Sequence, residues 1–80
     1  MSTVHVRLFA TLRRHYPHLG IGDAMAIELP EGATVGELIA RLDLPAEQVK
    51  VVFVNGIARE ADHPLADGDE VGIFPPVGGG

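Results

Sequence analysis

One amphipathic helix, placed between short alternating runs, limits what these 80 residues can build. Thr34 and Glu37 stand at capping-box spacing, where each side chain satisfies a backbone donor of the first helical turn. Val35, Leu38, Ile39 and Leu42 then recur at i, i+3, i+4 and i+7, a single apolar stripe, and Pro45 is expected to end the helix. A lone helix cannot bury that stripe against itself. It needs a sheet.

The sheet is legible on both sides of the helix. Residues 4–10 alternate, with Val4, Val6 and Leu8 on one face, His5 and Arg7 on the other, and Phe9 adding bulk. Residues 11–22 carry Pro17, Gly20 and Gly22 and read as a loop, with a helical turn at Leu12–Tyr16. Residues 24–29 alternate again through Met25, Ile27 and Leu29, so the first two runs suggest an antiparallel hairpin. Lys50–Val54 is nearly all apolar, the pattern of a central strand covered on both faces. Asn55-Gly56 is a turn signal, Asp62–Leu65 and Ala66–Asp69 punctuate the return, and Glu70–Phe74 alternates as the last strand. The order is strand, strand, helix, strand, short strand, strand. It predicts an α+β fold, a mixed sheet of four to five strands with one main helix packed across it, in the β-grasp or ubiquitin-like arrangement. Residues 1–74 form the domain and residues 75–80 an extended C-terminal arm.

Composition narrows the function. A chain this short buries only about 60% of its unfolded surface, yet 46% hydrophobic and 21% charged residues are the mark of a globular domain. With no cysteine, the chain has no disulfide framework, thiolate metal site or catalytic thiol. Any sulfur it handles is held elsewhere than on a side-chain thiol. A net charge of −5 argues against nucleic acid and anionic membrane surfaces, which demand a Lys/Arg footprint, and favours a partner with a basic face. No basic segment followed by an apolar stretch opens the chain, and no apolar run approaches the ~20 residues that span a bilayer. A cytoplasmic protein is expected.

Catalytic constellations are scarce. Ser2 and Thr34 stand in no nucleophile motif, and Thr34 is explained as a cap. His15 and His18 are three apart, but Pro17 interrupts the helix that would place both on one face, so His5, His15, His18 and His63 read as surface or loop residues and no metal site is assigned. Asp67-Gly68-Asp69-Glu70 lacks the ligand spacing of a calcium loop and reads as a polar turn opening the last strand.

The tail carries more information. Pro75 and Pro76 cannot continue a strand ladder and favour polyproline II. Val77 and then Gly78, Gly79 and Gly80 follow, residues with little or no side chain. A stiff stem bearing three glycines forms an arm reaching on the order of 15–20 Å from Pro75. Such an arm suits a narrow tunnel in another protein: no Cβ meets the walls, and none shields the terminal carbonyl carbon from attack. The competing assignment is a frayed end without a role.

Val6-Arg7-Leu8-Phe9-Ala10, Val54-Asn55, the run Asp62 to Val71, and Phe74-Pro75-Pro76-Val77 ahead of Gly79-Gly80 together resemble the MoaD/ThiS family of ubiquitin-like sulfur carriers, and within it the small subunits of molybdopterin synthase (molybdopterin converting factor subunit 1). The resemblance implies a carrier that is not itself an enzyme. An E1-like adenylating enzyme would use ATP and magnesium to activate the Gly80 carboxylate, and sulfur would replace AMP to leave a thiocarboxylate. The molybdopterin synthase large subunit would receive the arm and draw on its sulfur for the dithiolene of the molybdenum or tungsten pterin cofactor. No permanently bound cofactor is implied. Pro75, Pro76, Val77, Gly78 and Gly79 would thread the tail into the partner. Family partner contacts map to Phe9 and Phe74, for which core packing is the competing assignment. A third apolar contact falls near Ala58, which is small here, and Gly78 also departs from the usual residue before the terminal glycines. The same end group serves sulfur carriers for thiamine, cysteine or tRNA thiolation, and ubiquitin-like modifiers joined to lysines.

Overall fold

The computed structural model describes residues 1–20 and 22–76. Five strands and one α-helix follow in the order read from the sequence: β1 (Ser2–Leu8), β2 (Met25–Leu29), α1 (Val35–Arg41), β3 (Val51–Val54), β4 (Ile57–Arg59) and β5 (Glu70–Phe74). Short 3-10 turns lie at Ala10–His15 and Ala46–Gln48. The sheet order is β2-β1-β5-β3-β4. β1 and β5 run parallel side by side at the centre, and every other pairing is antiparallel. This is the β-grasp α+β arrangement.

The capping box forms as predicted. Glu37 N–H donates to Thr34 Oγ1 at 3.2 Å while Thr34 N–H donates to Glu37 Oε1 at 3.0 Å. Helix termination differs from the expectation at Pro45. The chain leaves the helix at Leu42, and Asp43 takes a left-handed conformation with φ 58°. Asp43 N–H then reaches Ala40 O and Leu44 N–H reaches Ile39 O, a Schellman closure that satisfies the last carbonyls and turns Leu44 back into the core. Tyr16 secures the same end by donating its hydroxyl to Leu42 O at 2.8 Å.

The helix stripe faces the sheet. Val35, Leu38 and Leu42 pack with Val4, Val6, Leu8, Val52, Val71 and Ile73 in one cluster, with Ile39 at its margin. Three further readings are corrected, two of boundaries and one of burial. The first strand ends at Leu8 instead of residue 10, because Ala10 adopts φ 52° and starts a 3-10 turn. That turn spans Ala10–His15, a little ahead of the predicted Leu12–Tyr16. β3 is not a central strand covered on both faces: β5 takes the centre, and β3 buries Val52 and Val54 while Val51 and Phe53 stay half-exposed. Asn55 and Gly56, with φ 52° and 85°, make the two-residue turn of the β3–β4 hairpin.

Candidate functional site

Because one helix covers one side of the sheet, the other side stays open among the described residues, and strand alternation decides which side chains it carries. In β1 the phase that buries Val4, Val6 and Leu8 sends Arg7 outward, with Phe9 next in that phase as the chain leaves the strand. In β5 the phase that buries Val71 and Ile73 sends Glu70, Gly72 and Phe74 outward. In β3 it does the same for Phe53. Register brings these positions together, since Gly72 lies opposite Arg7 on one side and Phe53 on the other.

The result is an aromatic platform. The Phe9 and Phe74 rings stack with centroids 4.1 Å apart and planes 2° from parallel. Phe53 meets Phe74 edge-on at 5.5 Å and 83°. Gly72 makes room for the stack: a Cβ there would lie 3.2 Å from Phe9 Cε2 and 3.5 Å from Phe74 Cε1. The rings border a shallow cavity of about 390 Å³ that also touches Arg7 and Glu70. Those two side chains form an ion pair at 2.9 Å, and Arg7 Nε donates to Gly22 O at 3.2 Å. An exposed pair of this kind adds little stability, about 0–1 kcal/mol. Its effect is to set a fixed charge pattern at the rim of the apolar surface.

The platform sits at the root of the arm. Lys50 N–H donates to Phe74 O at 2.8 Å, beside the last ladder pair Val51–Phe74. Pro75 and Pro76 have no N–H to continue the ladder and adopt no strand; Pro75 is half-buried and Pro76 exposed. Val77, Gly78, Gly79 and Gly80, assigned to the arm from the sequence, lie outside the described residues.

Of the other candidates, Glu70 borders this surface and His5 stands opposite it in the ladder, while the rest are placed apart. His15 pairs with Gln48 at 3.0 Å and His18 meets Tyr16 edge-on. His63 contributes its backbone to the contacts around the helix start. Among the described residues no three His, Asp or Glu side chains gather as a metal site. The acidic turn is used internally: Asp67 accepts from Thr3 N–H, and Asp69 accepts from Ala66 N–H and the Asn55 amide.

The ThiS family model matches residues 6–80. The chain belongs to the ThiS family. It is 35% identical to the putative molybdopterin converting factor subunit 1 of Pyrococcus furiosus, with 96% of this chain and 100% of that one covered and a TM-score of 0.78. It is 63% identical over 27 residues to the molybdopterin synthase sulfur carrier subunit of Escherichia coli (strain K12), a match spanning 34% of this chain and 33% of that relative, about a third of its length. A further likeness, 25% identical with a TM-score of 0.62 and covering 98% of this chain and 99% of the other, is to a protein–protein complex of subunits 1 and 2 of the molybdopterin-converting factor from Helicobacter pylori.

In this ThiS-family chain, two residues of the platform escaped the sequence reading. Phe53 sits within an apolar run, and Gly72 stands where alternation expects an outward side chain. Their common signal is phase: Phe9, Phe53, Gly72 and Phe74 all oppose the buried set once β1, β5 and β3 are aligned. Ala58 lies opposite Phe53 in the ladder, so the apolar bulk missing at Ala58 is present one strand away. No helix among the described residues is long and apolar enough to cross a membrane.

Proposed function

We propose that this ThiS-family chain is a sulfur carrier of the molybdopterin synthase type, a co-substrate recycled by its partners and not itself a catalyst. The observation that carries the reading is the family match, which runs through the terminal glycines to residue 80. The matched relatives support it, one being a sulfur carrier subunit of molybdopterin synthase and another belonging to a complex of converting-factor subunits 1 and 2.

The chemistry explains the division of labour. A free carboxylate is a poor electrophile: its charge repels nucleophiles, and oxide is a poor leaving group. An E1-like partner holding ATP and magnesium adenylates Gly80, which removes the charge and supplies AMP as leaving group. A sulfur donor then displaces AMP and leaves the thiocarboxylate. This chain contributes presentation. Phe9, Phe53 and Phe74 dock the partner as a rigid apolar surface, the Arg7–Glu70 pair sets its orientation, and Pro75, Pro76, Val77, Gly78 and Gly79 deliver the end group. The large subunit of molybdopterin synthase is the proposed receiver of the sulfur. A cytoplasmic setting, where ATP is available for loading, completes the proposal.

The test is mass spectrometry of the intact chain after incubation with its activating enzyme, ATP and a sulfur donor. Exchange of one oxygen for sulfur at Gly80 is expected. Adducts on partner lysines in place of that exchange would make the chain a modifier, and an unchanged mass would make it an interaction module.

A further inference from the structure

Lys50 is the only lysine in the sequence. For a domain whose proposed chemistry turns its own end into an acylating group, that count matters, because every side-chain amine is a potential acceptor. Five of the six basic residues are arginines, which an activated acyl group leaves unmodified. The sixth is exposed, and its backbone holds the last hydrogen bond before the arm, Lys50 N–H to Phe74 O at 2.8 Å.

Lys50 also lines a groove, on a part of the surface distinct from the aromatic platform. The groove runs between α1 and the β3–β4 hairpin and has a volume of about 290 Å³. Ile39, Val49 and Val52 give it apolar walls, and Lys50, Arg59 and Glu60 complete it. Among the described residues neither Lys50 nor Arg59 takes part in an ion pair. Two cations and one carboxylate leave this narrow apolar cleft net positive on a chain with net charge −5, which complements one kind of ligand well: a slender segment ending in an anion. The sequence supplies such a segment in Val77-Gly78-Gly79-Gly80, and once Gly80 is adenylated the anion at its end is the AMP phosphate. The volume lies near the lower end for ligand pockets, roughly 300 Å³, so it suits a valine followed by glycines and little more.

We propose that Lys50 is the self-conjugation site of this carrier, and that the groove beside it receives the arm of a second copy. The inference rests on the reading of Gly80 as an activated terminus. When no sulfur donor intercepts the acyl-adenylate, Lys50 Nζ of the second copy adds to the Gly80 carbonyl carbon. The bond from that carbon to the adenylate oxygen breaks, AMP leaves, and the amine gives its proton to water. An N–C bond replaces a C–O bond, and the ATP spent in activation drives the exchange. A copy's own arm is a poor donor, because the stiff Pro75-Pro76 stem must reverse at once to return to the strand from which it departs. With one donor end and one acceptor side chain per copy, the product is an unbranched chain.

The test bypasses the activating enzyme, so it stands apart from the test of sulfur loading. The chain is prepared with Gly80 as a mercaptoethanesulfonate thioester by intein cleavage. Both it and the second copy with which it is mixed are N-terminally acetylated, so that Lys50 is the remaining amine. We expect a dimer whose tryptic digest joins Leu42–Arg59 to Glu60–Gly80 through Lys50. The rate should saturate with acceptor concentration and exceed that of Nα-acetyl-lysine amide at equal concentration by at least about tenfold, the scale on which held reactants outrun free ones. Lys50→Arg in both copies should abolish the dimer. Arg59→Glu, at an exposed edge position, should remove the rate advantage without unfolding the domain. A linear rate equal to that of the free lysine amide would overturn the groove's role. A cyclised monomer, which has lost the thiol and gained neither a partner nor the water of hydrolysis, would overturn the second-copy assignment.

Discussion

Gly72→Val separates two physical accounts of the open face. Gly72 lies in the central strand at a φ outside the left-handed region, so nothing in the backbone demands glycine there. On strand propensity alone, valine should help: replacing an interior glycine recovers roughly 0.5–1 kcal/mol of chain entropy, and a β-branched residue suits the pleat. The platform account predicts the opposite sign. The first added carbon already lies 3.2 Å from Phe9 Cε2 and 3.5 Å from Phe74 Cε1, closer to Phe9 than ordinary contact. Two more methyls extend into the same space and displace at least one ring. The stack is worth about 0.5–1.5 kcal/mol beyond its area, and overpacking costs about 1–3 kcal/mol. Net destabilisation of about 1–2 kcal/mol is expected after the propensity gain. With a urea slope of about 1–3 kcal/mol/M for small proteins, the unfolding midpoint should fall by roughly 1 M. Gly72→Ala should be close to neutral, because a ring at the end of a side chain can yield a few tenths of an ångström. Urea titration followed by circular dichroism gives the midpoints, and the Phe9 ring resonances report the stack. A midpoint for Gly72→Val at or above that of the parent, with Phe9 unperturbed, would refute the reasoning.

Other perturbations test the core, the cap and the docking surface. Leu38 has no exposed surface, so Leu38→Asp should cost several kcal/mol, on the order of half of a total near 4–12 kcal/mol for this length, and thermal unfolding would show it as a collapse of Tm. Thr34→Ala should cost about 0.5–2 kcal/mol by removing the acceptor for Glu37 N–H, with Thr34→Ser restoring most of it in the same denaturation assay. Phe53→Ala should weaken binding to the large subunit about tenfold or more by calorimetry, while lowering stability less than Leu38→Asp, because Phe53 lies on the open face and Leu38 in the core.

The elements that could be read in the sequence are those fixed by local chemistry. Thr34 and Glu37 satisfy each other's backbone within one turn, and Val35, Leu38 and Leu42 need only helical periodicity to declare a face. Asn55-Gly56 announces its turn because both residues accept positive φ. What escaped depends on contacts distant in sequence. Lys50–Val54 read as doubly covered because four consecutive apolar residues look alike whether or not a second layer exists. Only the β1–β5–β3 register reveals that Phe53 shares an uncovered face with Phe9 and Phe74. The helix end was misplaced for a related reason: Pro45 is a visible breaker, whereas Asp43 stops the helix two residues earlier through backbone bonds to Ala40 and Ile39 that no side chain advertises.

The central claim is that the chain works through its terminal carboxylate, and removing Gly80 tests it most directly. The buried core runs from Val4 to Ile73, so the truncated chain should keep the parent Tm. Its carboxylate, however, falls back by roughly 3.5 Å, one extended residue. A misplacement of about 1 Å can cost on the order of a hundredfold in rate. Intact mass spectrometry after incubation with the activating enzyme, ATP and a sulfur donor should therefore find the full chain converted to thiocarboxylate and the truncated chain unmodified. A truncated chain that gained sulfur at the parent rate would contradict the account.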